Sequence, residues 1–255
     1  MHTDGVHVQI TETGLDGTTR FIDETLPYIA TSGPFRKTAA MPATTLSFRW
    51  SPGSFNMDYH PSPRRRLVLV TEGALEIGLR SGERRVFKPG DIYSLRDTWG
   101  EGHRSRALDS KPFRSALISL DHEIVLDRRE HLERPEPDGI EFLHNQETSD
   151  GVSFFEHKTM PFLYGGQEGK ETGQIALRSF QFAKAPADLD YQWHPAPQRQ
   201  AVLVLTGGLA MEYGDGSNTV VQPGGFLIGE DTDGRGHITR AVNGAERFSI
   251  FAHLA

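Results

Sequence analysis

Two histidines in closely similar surroundings are the residues of this chain best suited to chemistry. His60 lies in the run Asp58-Tyr59-His60-Pro61, and His194 lies in the run Gln192-Trp193-His194-Pro195, 134 residues further on. An imidazole can bind a metal ion, and near neutral pH it can also take up or release a proton. Either use requires other side chains, so the rest of the chain must bring partners to these two positions.

Two further histidines recur at the same distance. His103 follows Gly100-x-Gly102, and His237 follows Gly234-x-Gly236. The chain of 255 residues contains no cysteine, so any metal ligands have to come from histidine and the carboxylates. The sequence thus offers two sets of candidate residues, one in each half.

These recurrences belong to an internal duplication. An ungapped alignment at an offset of 134 residues extends from Gly17 with Gly151 to Ala107 with Ala241. A fixed period over so long a segment is a signature of repeated structural units. We therefore expect the two halves to fold alike.

The elements that position the histidines are predicted to be strands. Short β-branched and aromatic runs, such as residues 67–70, are separated by glycine and proline, and helical periodicity is scarce. This pattern predicts an all-β chain of antiparallel jelly rolls or small barrels, which hide their strand edges by curling. The predicted domains are an N-terminal barrel at 1–120, a linker at 121–150 and a C-terminal barrel at 151–255.

Charge and hydropathy narrow the expected partners. The formal net charge of -7 argues against a surface that binds nucleic acid, because phosphate contacts need clustered lysine and arginine. No run approaches the roughly 18 apolar residues of a membrane-spanning helix, and the first residues show no leader pattern. We expect a soluble, cytoplasmic protein that acts on a small molecule and binds neither nucleic acid nor membrane.

Repeated glycines and prolines carry a resemblance to a known family. Gly73 and Gly207 stand where the first cupin motif ends, and Pro89-Gly90 and Pro223-Gly224 resemble the entry to the second motif. The chain is therefore similar to the cupin superfamily, and its duplication makes it resemble a bicupin. This resemblance implies two tandem cupin-type jelly-roll barrels related by internal duplication. It also implies barrels that pair, so that a monomer or a homodimer is expected.

The cupin resemblance further implies a metal site, although with altered ligands. Arg66 occupies the usual glutamate position. Asp58 and His60, at i and i+2, are expected on one face of a strand, and with His103 they would form a metal-ligand set that suits Fe(II) and also accepts Mn or Zn. In the alternative interpretation no metal binds, and His60, His103 and Arg66 act on the substrate as catalytic residues. Arg66 then faces inward as a fork for a carboxylate, or outward in a solvated run of charge.

The second half carries a different set of polar residues at the equivalent positions. Gln192, His194, Gln200 and His237 form the predicted second-repeat pocket. Neutral amides bind divalent metals less strongly than carboxylates do, so this half is expected to be a poorer metal site or a copy kept for packing. Its two histidines could still serve as hydrogen-bond partners or as a general acid and base.

Three functions are compatible with these residues. The leading hypothesis is a bicupin enzyme that acts on a small, anionic organic metabolite with a divalent metal, by dioxygenase-like, isomerase or lyase chemistry. The alternatives are a metal-free cupin isomerase, cyclase or dehydratase, and a non-catalytic bicupin that binds a small ligand. Because one fold hosts many functions, the resemblance does not choose among them.

Overall fold

The chain is built from β-strands. The computed structural model describes residues 4–29, 33–120, 130–132, 138–166 and 168–255, without the side chains of 130–131. Within these residues the regular elements are strands, apart from a 3-10 turn at Leu108–Ser110. The strands of the first half are β1 Gly5–Thr13, β2 Thr19–Ile29, β3 Arg36–Thr38, β4 Met41–Pro42, β5 Thr45–Ser51, β6 Asn56–His60, β7 Arg66–Glu72, β8 Leu75–Gly78, β9 Arg84–Phe87, β10 Tyr93–Leu95, β11 His103–Ala107 and β12 Phe113–Ser119. The strands of the second half are β13 Glu130–His131, β14 Gly139–Glu147, β15 Ser153–Gly166, β16 Gly169–Thr172, β17 Ile175–Ala185, β18 Asp190–His194, β19 Gln200–Thr206, β20 Leu209–Glu212, β21 Asn218–Val221, β22 Phe226–Gly229, β23 His237–Ala241 and β24 Arg247–Leu254. The predicted all-β fold class is confirmed.

The strands of the second half repeat those of the first at the offset seen in the sequence. β6 and β18, β7 and β19, β8 and β20, and β11 and β23 begin and end at residues 134 apart. The same offset relates β1 to β14, so the structural repeat begins before Gly17, where residue identities are too few to show it. β14 therefore lies inside the predicted linker 121–150, of which 121–129 and 133–137 fall outside the described residues.

The described residues form two compact units. Unit 1 comprises Met1–Leu26, Ala43–Ile140 and Pro161–Ala176. Unit 2 comprises Pro27–Pro42, Glu141–Met160 and Leu177–Ala255. Each half of the sequence thus contributes one short segment to the unit formed mainly by the other half.

In unit 2 the contributed segment is β3, which pairs with β17. Lys37 lies opposite Ala183 in this antiparallel ladder. The backbone N–H of Phe182 donates to Thr38 Oγ1 at 3.1 Å. Buried backbone N–H groups need acceptors, and β3 supplies one to β17. These hydrogen bonds explain why β3 is part of unit 2.

In unit 1 the contributed segment is β16, which pairs with β5 in the equivalent way. Glu171 lies opposite Arg49. The backbone N–H of Phe48 donates to Thr172 Oγ1 at 3.0 Å. These contacts explain why residues 161–176 join unit 1, although they lie in the second half of the sequence.

Unit 1 is a two-layered β-structure. One layer runs in the order β1-β10-β7-β12-β5-β16, with a parallel pair at β1 and β10, and the other in the order β6-β11-β8-β9. The apolar core draws on both layers, for example Val68 and Val70 of β7 and Ile77 of β8. Alternate residues of each strand point into this core, so the interior face of any strand can be read from its core members.

Unit 2 repeats this plan with its own strands. One layer runs in the order β14-β22-β19-β24-β17-β3, and the other in the order β18-β23-β20-β21. Its core contains Val202 and Val204 of β19 with Leu209 and Met211 of β20. No helix among the described residues has the length and apolarity needed to cross a membrane.

Candidate active site

A β-bulge decides which residues of β6 face the interior of unit 1. In the ladder with β11, His60 lies opposite His103 and Met57 lies opposite Ser105, so two residues of β6 face one residue of β11. An extra residue breaks the simple alternation of a strand. Met57, which packs against the core, and His60 therefore share the inner side, whereas Asp58 is exposed.

The predicted metal ligands Asp58, His60 and His103 do not form a trio. Asp58 Oδ1 accepts the backbone N–H of Tyr59 at 2.8 Å on the exposed side of the bulge. Among the described residues there is no group of three or more His, Cys, Asp or Glu side chains able to hold a metal ion. The expectation that i and i+2 share a face is wrong here because of the inserted residue. Two imidazoles fall short of the three protein ligands of a typical catalytic site, so the residues do not fit the predicted Fe(II), Mn or Zn centre.

The two histidines of unit 1 are nevertheless brought together. The ring centroids of His60 and His103 lie 4.7 Å apart. His60 donates from Nδ1 to the carbonyl oxygen of Asp58 at 2.7 Å, and His103 donates from Nδ1 to Asp97 Oδ2 at 2.6 Å. Asp97 is fully buried and also accepts a hydrogen bond from Thr11 Oγ1 at 2.8 Å. With both Nδ1 atoms occupied, each neutral ring keeps its Nε2 lone pair for another partner.

Glycine makes this approach possible. Gly102 precedes β11 with φ at 65°, and a Cβ added there would lie 2.1 Å from the carbonyl oxygen of His60. In unit 2, Gly236 has φ at 70° and the same relation to the carbonyl oxygen of His194. The repeated glycine before each histidine is therefore required for the strands to close on one another.

Arg66 lies on the inner face of unit 1. It is two and four residues from Val68 and Val70, which are core residues of the same strand. The outward alternative is thus wrong, because the pleat directs alternate side chains to the same side. The proposed catalytic role of Arg66, His60 and His103 stays a prediction.

An ion pair between a part-buried arginine and a buried carboxylate also lies on the inner side of unit 1. Glu171 accepts hydrogen bonds from Arg49 Nη2 at 2.9 Å and from Ser47 Oγ at 2.7 Å. Arg49 lies opposite Ser115, whose strand neighbours Phe113 and Leu117 belong to the core. Unit 1 therefore supplies an internal carboxylate to one of its own interior arginines.

The same pair of histidines recurs in unit 2. The ring centroids of His194 and His237 lie 4.6 Å apart. His194 donates from Nδ1 to the carbonyl oxygen of Gln192 at 2.7 Å, and His237 donates from Nδ1 to the buried Asp231 Oδ2 at 2.5 Å. The side chain of Gln192 lies in an exposed position outside the pocket, which corrects its predicted place there, since a bulge like that of β6 separates it from His194.

Burial affects the first histidine of each pair. It lowers the pKa of His194 to about 4, and the nearby His237 acts in the same direction. Burial also lowers the pKa of His60. A buried imidazole loses hydration that favours its charged form, so both rings are neutral at physiological pH.

A cavity of about 270 Å³ lies beside the histidine pair of unit 2. Its polar lining includes three of the four predicted pocket residues, namely His194, Gln200 and His237. The other polar groups are Lys37, Asn145, Tyr191, Thr239 and Arg247. The apolar lining includes Phe35, Val202, Leu209, Met211, Leu227 and Phe251. The volume is near the lower end of the roughly 300–1,000 Å³ typical of ligand sites.

Several of these lining residues were not identified from the sequence. Phe35 and Lys37 come from the other half of the chain, and no local pattern links them to His194. Arg247 occupies the position of the core residue Phe113 in the alignment of the repeats. This pair lies beyond Ala107 and Ala241, where the sequence alignment ends, but extending the same offset would have shown a charged residue in place of a core phenylalanine.

The described residues form an all-β protein with a pair of histidines in each unit. No protein-family model and no curated protein sequence matches the chain. Solved structures that resemble it include a cupin 2 conserved barrel domain protein from Leptotrichia buccalis, with 13% identity and a TM-score of 0.42 over 89% of this chain and 92% of that one.

Two other solved structures resemble the chain over most of its length. A protein of unknown function from Pseudomonas syringae pv. tomato has 9% identity and a TM-score of 0.37, over 98% of this chain and 99% of that one. A mutant of Bacillus subtilis oxalate decarboxylase has 11% identity and a TM-score of 0.33, over 90% of this chain and 76% of that one.

Proposed function

We propose that this chain is a cupin-fold enzyme that transfers a proton on a small organic molecule bound in the cavity of unit 2. The observation that carries the proposal is the pair His194 and His237, whose Nδ1 atoms are both held by acceptors beside a cavity. An imidazole held in this way presents a defined Nε2 to a bound molecule. Positioned proton transfer of this kind typically contributes about 10²–10⁴-fold to a rate.

The two histidines take different roles in this proposal. The carboxylate of Asp231 orients His237 and stabilises positive charge on its ring, as an acidic partner does for a general base. His194 has a pKa of about 4 because it is buried, so it remains neutral and offers its lone pair to a hydroxyl or ammonium proton of the substrate. Isomerisation, cyclisation and dehydration are the reaction classes that such a pair can serve.

The residues available as metal ligands favour the metal-free hypothesis over the metal-dependent one. Each unit contributes two imidazoles, and the carboxylate expected as the third ligand, Asp58, lies on the exposed side of β6. The carboxylates that are hydrogen-bonded to the rings, Asp97 and Asp231, bind Nδ1 atoms instead. The metal-free interpretation uses every one of these contacts.

Deuterium exchange tests the proposal. Phenylpyruvate carries an acidic methylene group. In D₂O the hydrogens of this group are replaced by deuterium, and proton NMR follows the loss of their signal. The protein is expected to accelerate this exchange, His237→Asn to abolish the acceleration, and EDTA to leave it unchanged. His157→Asn, at an exposed position of unit 2, serves as the control.

Two results would contradict the proposal. One is binding of phenylpyruvate without accelerated exchange, which would indicate a binding protein. The other is acceleration that is lost with EDTA but kept in His237→Asn, which would restore the metal-dependent hypothesis.

A further inference from the structure

Arg247 is a buried cation whose charge is not balanced within the described part of the chain. The residue is 2% exposed, and both Nε and Nη1 are buried without a hydrogen-bond partner among the described residues. Burial lowers its pKa to about 10. Buried polar groups are nearly always satisfied, so an orphaned guanidinium that lines a cavity indicates a missing partner.

A second cation lies at the same cavity. Lys37 Nζ is 5.1 Å from the ring centre of Phe251 and 5.5 Å from that of Phe35. The guanidinium carbon of Arg247 is 5.7 Å from the ring centre of Phe35. Two cations and two aromatic rings thus form one region of the wall, and no described lining residue is Asp or Glu.

Unit 1 shows what the missing partner is. Lys37 of unit 2 is equivalent to Glu171 of unit 1, which is bound to Arg49 at 2.9 Å. The position of Arg49 is taken by Ala183 in unit 2. The interior of unit 1 therefore contains its own carboxylate, whereas unit 2 has a lysine at the position of that carboxylate and an alanine at the position of its arginine partner.

We propose that the ligand of the unit 2 cavity is a small carboxylic acid with an apolar body, whose carboxylate binds Arg247 and Lys37. A planar guanidinium matches a carboxylate with two parallel hydrogen bonds. The remaining wall, formed by Val202, Leu209 and Met211, suits a compact hydrocarbon or aromatic group. This inference rests on the proposed function in that it names the substrate class of the same cavity.

Paired ligands that differ only in charge test this inference. Phenylacetate and phenylacetamide have nearly the same shape, and their dissociation constants can be measured by titration calorimetry. The protein is expected to bind the acid at least about tenfold more tightly than the amide. Arg247→Gln is expected to reduce this ratio to about one, and Lys37→Gln to reduce it partly.

Arg240→Gln is the matched control, because Arg240 lies on β23 of the same unit and is paired with Asp190 and Glu212 at the surface. Thermal unfolding of each variant shows whether it is folded. Equal binding of acid and amide by the wild-type protein, or an unchanged ratio in folded Arg247→Gln, would overturn the inference.

The outcomes separate this inference from the proposed function. A carboxylate preference that depends on Arg247, without proton exchange in phenylpyruvate, supports the ligand class and contradicts the catalytic role of His237. Proton exchange without any carboxylate preference does the reverse.

Discussion

Replacement of Arg247 by methionine is expected to stabilise the fold while it removes ligand binding. Burial lowers the pKa of Arg247 to about 10, and at about 1.36 kcal/mol per pH unit relative to an ordinary arginine the desolvated charge costs roughly 3 kcal/mol. Methionine keeps an unbranched stem of similar length without the charge. Methionine also loses the cation–π contact of Arg247 with the Phe35 ring, which offsets about 1 kcal/mol of this gain in stability. The expected net increase in the free energy of unfolding is therefore about 2 kcal/mol.

Chemical denaturation measures this gain directly, followed by the tryptophan fluorescence of the chain, to which Trp193 contributes from unit 2. Thermal unfolding should show a midpoint higher by about 4–8 °C, given the size of the chain. Phenylacetate at 100 times its dissociation constant should stabilise the wild-type protein by about 2.7 kcal/mol and leave Arg247→Met unchanged.

Arg240→Met provides the comparison, because an exposed, paired arginine should change the stability by less than about 1 kcal/mol. The reasoning is refuted if Arg247→Met destabilises the protein by more than 1 kcal/mol relative to that control. Such a result would mean that Arg247 has a structural partner, and the cavity would need no anion.

Three further changes probe other parts of the structure. Glu171→Gln should lower the free energy of unfolding by about 2 kcal/mol, measured by urea denaturation, because it removes the closer of the two carboxylates that pair with the part-buried Arg49, the other being Glu168 at 3.8 Å. An unchanged stability would show that Glu168 and solvent compensate. NMR titration should find His194 half-protonated near pH 4. Because the unfolded state binds this proton at a higher pH than the folded state does, the free energy of unfolding should fall by roughly 1–2 kcal/mol as the pH decreases from about 6.5 to 4. The variant His194→Gln should lack this pH dependence. Gly236→Ala should unfold or displace β23, because the added Cβ would lie 2.0 Å from the carbonyl oxygen of His194. Circular dichroism and the loss of phenylacetate binding would detect the change. A variant with native structure and native binding would disprove the close approach.

The histidine pairs could be predicted because their determinants are local. The recurring glycine before His103 and His237 carries the left-handed conformation that the turn needs, and an ungapped repeat implies that both sites are built alike. The metal trio was wrong for an equally local reason. Asp58 does not lie on the inner face because a bulge inserts one residue into β6. The alternation of residue types along a strand does not predict such a shift in its register with the partner strand.

The sequence and the proposed function emphasise different units. Because Gln192 stands in the second half where Asp58 stands in the first, the sequence suggested that the second half is the poorer metal site. The proposed site lies in unit 2 instead, because unit 1 contains the Glu171–Arg49 pair, whereas Nε and Nη1 of Arg247 in unit 2 are buried without a hydrogen-bond partner among the described residues. The charge state of an interior depends on which strands surround it, and β3 and β16 each come from the other half of the sequence.

The sequence by itself determined the all-β fold, the duplication at 134 residues and the two histidines of each unit. Strand propensity, glycine turns and repeat spacing are properties of neighbouring residues, so they can be read along the chain. Only the tertiary structure decided that Arg66 faces inward, that Asp58 does not, and that Lys37 and Arg247 share one cavity. The cost of burying a charge depends on neighbours brought from distant parts of the chain, and this cost is what distinguishes the two otherwise equivalent units.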